Sequence, residues 1–75
     1  MATYSETILN RPIGELKFTT QFKTVTKTNG LETLSDVLQF RTVELEELPD
    51  FNILLLHEYV HFMEENGLGH YIDPV

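Results

Sequence analysis

Residues 49–68 read PDFNILLLHEYVHFMEENGL, and their pattern decides the fold class. From Ile53 to Asn66 there is neither Pro nor Gly, so nothing interrupts a helical hydrogen-bond ladder. Gly67, with Leu68 just beyond it, supplies the left-handed residue and the hydrophobic contact on which helices commonly end. Ahead of the run, Pro49-Asp50-Phe51-Asn52 is a turn by composition, since Asp and Asn bond their own backbone and tolerate left-handed angles. Advancing about 100° per residue puts Leu56, Tyr59, Val60 and Met63 on one face and Leu54, Glu58, His61 and Glu65 on the other. Leu54 is thus an apolar residue on a polar face.

Working back from this helix, the same local chemistry predicts three shorter ones. Thr19 or Thr20 caps a first helix to about Thr28, closed by Asn29-Gly30, and its threonines make it weak by propensity. Leu31, Leu34, Val37 and Leu38 mark a second, with Thr33 as cap, and Thr42 to about Glu47 a third, with Leu45 and Leu48 inward. A turn over 13–18 packs Ile13, Leu16 and Phe18. Residues 1–12 read as an N-terminal tail, because 1–6 lack periodicity and Arg11-Pro12 imposes extended or turn geometry. The domain is expected over 13–70, with a C-terminal tail over 71–75. The expected fold is all-α, a compact bundle of four to five short helices, with a core including Leu34, Leu38, Leu45, Leu48, Leu56, Tyr59, Val60 and Met63.

Seventy-five residues make one domain near the lower limit for folding without staples, and they leave no volume for a large catalytic cleft. With no cysteine there is neither a disulfide framework nor a thiolate metal site, which favours a reducing, cytoplasmic setting. The longest apolar run, Ile53 to Leu56, is far short of the roughly 18 residues of a membrane span, so a soluble, non-secreted protein without membrane contact is expected. Twelve acidic against five basic residues give a formal charge of −7, which opposes nucleic acid because binding a polyanion requires Lys and Arg to displace counterions. Lys17, Lys23 and Lys27 gather in the first third. Their simplest role is solubility.

The ordered framework Arg11-Pro12-Ile13 with Leu16, Leu31-x-x-Leu34-x-Asp36-Val37-Leu38, Glu44-Leu45-x-x-Leu48-Pro49-x-Phe51, Leu56-x-Glu58 and Gly67-Leu68 resembles the C-terminal domain of the bacterial RNA polymerase alpha subunit, over about residues 8–69. The resemblance implies a helix-hairpin-helix element with its hairpin at Pro49 to Asn52. It also implies a role in transcription, in which family members bind promoter minor grooves and contact activators. They use an arginine and an asparagine of the first helix, a glycine, a lysine and a serine at the start of the last, and a later glutamate. Here those positions hold Gln21, Thr24, Asn52, Leu54, Leu55 and Glu58, so only the glutamate persists. Without the arginine probe and the glycine that lets backbone approach phosphate, weak or absent DNA binding is expected. The chain has no room for the polymerase-assembly domain and reads as a stand-alone relative.

Leu54 and Leu55, with Glu58, Phe62 and Phe22, are the expected contact surface for a protein partner, self-association included. The acidic run Glu44, Glu46, Glu47 and Asp50 reads as a solvated face, with docking of a basic partner as the alternative. His57-Glu58-Tyr59-Val60-His61 also fits the H-E-x-x-H zinc-protease pattern, with His70 downstream as a conceivable third ligand. Both histidines fall on the outward side of the helix, and the simpler reading is solvated side chains. No catalytic residue, metal or cofactor is therefore assigned. A family-type DNA-binding module and a zinc hydrolase stand as the alternatives to a protein-binding adaptor.

Overall fold

The computed structural model describes residues 7–73 and is all-α: four α-helices and three short 3₁₀ turns, with no strand among the described residues. Where the sequence reading gave one domain over 13–70, the backbone divides into two compact units, one ending at Gln39 and one beginning at Phe40.

The first unit holds 3₁₀ turns at Thr7–Asn10 and Ile13–Glu15, then α1 (Thr20–Thr28) and α2 (Leu34–Val37). α1 starts where Thr19 Oγ1 accepts the Phe22 N–H at 3.2 Å, and it carries Phe22, Val25 and Thr26 on its buried face. Phe18 stacks on Phe22, with ring centroids 4.2 Å apart. α2 has a full capping box: Thr33 Oγ1 accepts from Asp36 N, and Asp36 Oδ2 accepts from both Thr33 N and Glu32 N.

Residues 7–12 correct the expected N-terminal tail. Leu9 is fully buried, the 3₁₀ turn around it packs on α2, and Ser35 Oγ donates to its carbonyl at 2.8 Å. Residues 1–6 of that tail lie outside the described residues. The segment then pairs with the chain ahead of α2, Ile13 N donating to Glu32 O at 2.8 Å beside an isolated antiparallel bridge between Pro12 and Thr33.

In the second unit, α3 (Thr42–Leu45) is shorter than the expected 42–47, and α4 (Ile53–Glu65) is the long helix. The turn between them places Asp50 at φ 64°, and Asn52 Oδ1 caps α4 through the Leu55 N–H at 2.9 Å. Leu45, Leu55, Leu56, Tyr59 and Met63 are buried, while Leu48 and Val60, like Leu38 of the first unit, are half-buried. A 3₁₀ turn, Gly69–Tyr71, packs on α4. Residues 71–73 are thus part of the packed structure rather than a tail, and 74–75 lie outside the described residues.

α1 and α4 end in the same three residues, Asn29-Gly30-Leu31 and Asn66-Gly67-Leu68. Each glycine has positive φ, 76° and 72°, and each leucine N–H reaches back five residues, to Thr26 O at 2.8 Å and Met63 O at 2.7 Å. The glycine N–H groups bond Lys27 O and Glu64 O, which completes two Schellman caps. Each asparagine Nδ2 adds a bond to the carbonyl four residues earlier, at Val25 and Phe62. Leu31 and Leu68 are both buried.

Candidate functional site

The hairpin formed by α3, the 46–52 turn and α4 carries the candidate surface. Because α4 begins with four apolar residues, helical phase alone decides which of them face water. Leu55, Tyr59 and Met63, spaced by four, share the buried stripe with Leu56. Leu54 shares its face with Glu58, His61 and Glu65 and is 73% exposed, against 3% for Leu55. The three exposed large hydrophobics among the described residues are Val43, Ile53 and Leu54, in the first turns of the two hairpin helices. Glu44, Glu46, Glu47 and Asp50 are exposed around the same hairpin. Residues 40–75 contain eight acidic residues and one basic, Arg41, whereas residues 1–39 contain four of each, so the whole formal charge of −7 belongs to the second half.

Two residues of the expected contact surface are corrected. Leu55 is core because it sits on the Tyr59–Met63 stripe and its N–H is pinned by Asn52. Phe22 is fully buried, stacked on Phe18 on the inward face of α1. Phe62 and Glu58 are half-buried, leaving Leu54 as the exposed apolar member. Of the positions matching family DNA contacts, Gln21 and Thr24 are exposed on α1 in the first unit, and Asn52 is exposed with its side-chain oxygen used in the cap. Val43 and Ile53 escape sequence reasoning because neither has an outward periodicity to read: Val43 lies in a helix of a single turn, and Ile53 opens the unbroken apolar run Ile53 to Leu56.

His57 and His61 are both exposed, one turn apart on α4, and line a shallow cleft with Thr42, Leu56, Val60 and Glu64. His61 Nε2 lies 2.9 Å from Glu65 Oε2. His70 is exposed in the 3₁₀ turn, its ring 4.2 Å from that of Tyr71. Among the described residues no three His, Asp or Glu side chains are grouped so as to hold a metal ion. Two imidazoles on an open face can chelate, but activating a water also requires a third ligand, an ordered outer shell and a cleft that excludes solvent.

A polar anchor joins the ends of the unit. Asp73 accepts from Thr42 Oγ1 at 2.6 Å and from Thr42 N at 2.9 Å, so a residue 31 positions away satisfies the first turn of α3. These bonds, with the Arg41 charge nearby, hold the Asp73 carboxyl below the usual carboxylate range. Burial, reinforced by the Asp73 charge, pushes the Tyr59 hydroxyl above its ordinary range. Among the described residues no helix is long and apolar enough to cross a membrane.

No protein-family model matches this chain, and no curated protein or solved structure does either.

Proposed function

We propose that this chain is a non-catalytic, helix-hairpin-helix protein-interaction module whose contact surface is the acidic hairpin, centred on Leu54. The observation that carries the reading is the 73% exposure of Leu54 on a helix face otherwise made of Glu58, His61 and Glu65. A leucine left in water at that level favours being covered, and its burial is worth about 1.5 to 3 kcal/mol. Val43 and Ile53 add apolar area at the helix starts. The surrounding carboxylates select a partner with basic groups beside its apolar ones and repel nucleic acid. The association with transcription rests on the resemblance to the polymerase alpha C-terminal domain alone.

The test is Leu54→Lys in the full chain, compared with wild type in partner capture and in sedimentation. Loss of a specifically retained basic protein, with melting temperature unchanged, supports the reading. Retention of the same partner by the variant refutes it. Saturable submicromolar binding of an A·T-rich duplex would replace it with the DNA-binding alternative, since weak non-specific binding lies at roughly 10⁻⁴ to 10⁻⁶ M.

A further inference from the structure

A second concave site lies wholly within the first unit. Pro12, Ile13 and Gly14 form one wall, the α1 residues Lys23, Thr26 and Lys27 form another, and Leu31 with Glu32 closes the end, enclosing about 290 Å³. Main-chain bonds fix the walls: Ile13 N to Glu32 O at 2.8 Å joins the first to the third, and Leu31 N to Thr26 O at 2.8 Å joins the third to the second. Ile13 and Leu31 are buried, so the floor is apolar. The Thr26 hydroxyl is committed to Lys23 O at 3.0 Å and offers no further donor. Lys23 and Lys27 stand one turn apart on the same face of α1, and among the described residues neither forms an ion pair.

We infer that this cleft is a docking site for a short acidic peptide segment, seating one apolar side chain on the Ile13–Leu31 floor with flanking carboxylates on Lys23 and Lys27. The volume sits at the small end of the range for ligand sites, about 300 to 1,000 Å³, which suits a side chain rather than a cofactor. Two lysines against the single Glu32 give the rim a positive balance in a chain that is otherwise strongly negative. Two ammonium groups are too few to hold a polyanionic duplex by counterion release, yet they suffice to choose the sign of a peptide. The site shares no residue with the hairpin surface and has the opposite charge preference.

The experiment titrates the full chain into a fluorescent peptide of alternating glutamate and leucine, with a glutamate–serine peptide as control and amide shifts mapped by NMR. Saturable binding tighter than about 1 mM is expected, with shifts at Ile13, Gly14, Lys27 and Leu31. It should weaken at least about tenfold for Lys23→Glu/Lys27→Glu and for the serine peptide. If that double variant loses its cooperative melt, Lys27→Glu alone, at an exposed position, gives the same reading. No saturation, equal affinity for the serine peptide, indifference to charge reversal, or shifts confined to other residues each overturns the proposal. Displacement of the peptide by octanoate at equal affinity would assign the cleft to small carboxylic acids and overturn it as well. So would concentration-dependent self-association abolished by the double variant, which would make a second copy the occupant.

Discussion

Two adjacent leucines of α4 offer a controlled comparison, because Leu54→Ala and Leu55→Ala remove the same atoms from the same helix turn. Leu55 is 3% exposed and Leu54 is 73% exposed. Truncating Leu55 loses nearly all of its transfer free energy and leaves a void under the buried face of α4, for which about 2 to 5 kcal/mol is expected. Truncating Leu54 removes a side chain already in water and also improves helix propensity slightly, so a change within about 0.5 kcal/mol is expected. In a chain of this length each kcal/mol moves the midpoint by about 4 to 8 °C, so Leu55→Ala should lower Tm by at least about 8 °C, and Leu54→Ala by no more than about 4 °C. Urea titrations followed by far-UV circular dichroism measure both, with m-values showing whether the folded states stay comparable. Equal losses for the two variants, or a larger loss for Leu54→Ala, would refute the assigned helical phase and with it the proposed contact surface.

The Schellman glycines give a second expectation: a Cβ at Gly30 or Gly67 meets nothing within 4 Å, so Gly→Ala at either should cost only the left-handed backbone penalty, about 1 to 2 kcal/mol in urea melts, with Gly→Asn costing less. Asp73 is held below the ordinary carboxylate range, so its contribution is fully present above about pH 3.9 and is lost as pH falls through its lowered value. The Thr42 amide shift should follow that loss in the wild type, whereas in Asp73→Asn the charge-assisted contribution should be missing at every pH. The buried residues of α4 exclude His57 and His61, so chelator should leave helicity and Tm unchanged, and loss of a cooperative melt in chelator would require a structural metal.

The local punctuation of the chain was legible in advance. Thr19, Thr33, Gly30 and Gly67 act on neighbours within five residues, and each cap or stop lies where its residue type implies, whereas Asn52, read only as part of a turn, also caps α4. What escaped was either long-range or degenerate. Leu9 is anchored by Ser35, 26 positions away, and Asp73 by Thr42, 31 positions away, and a tail-like composition carries no trace of either bond. The run Ile53 to Leu56 is apolar at four consecutive positions, so periodicity puts Leu56 inward and Leu54 outward but leaves Ile53 and Leu55 between the two faces. The family register marked Leu55 as surface, and the i, i+4, i+8 series Leu55, Tyr59, Met63 is the signal that marks it as core. Phe18 lies ahead of the Thr19 cap, outside α1, so its stacking on Phe22 comes from how the chain enters the helix and not from a helical spacing. For the candidate site, the exposure of Leu54 and the acidity of the hairpin were readable, whereas Val43 and Ile53 emerge only with the helix starts in place.

The twin Asn-Gly-Leu endings also govern how this protein ages. An asparagine followed by glycine is the pair most prone to deamidation, in which the glycine nitrogen attacks the side-chain amide, a cyclic imide forms and ammonia leaves. In both caps that attack is held off, because the Gly30 and Gly67 N–H groups bond Lys27 O and Glu64 O while the Asn29 and Asn66 amides are tied to Val25 O and Phe62 O. Opening the helix end releases both reactants together. Mass spectrometry during storage should therefore find Asn66 converting at a rate set by how often its helix end opens, faster in Leu55→Ala than in Leu54→Ala. Each conversion leaves a carboxylate against the negative end of a helix dipole, where it repels the carbonyl that the amide had bonded. Damage at one cap thus raises the time the chain spends open, and the protein's chemical lifetime becomes a readout of its folding equilibrium.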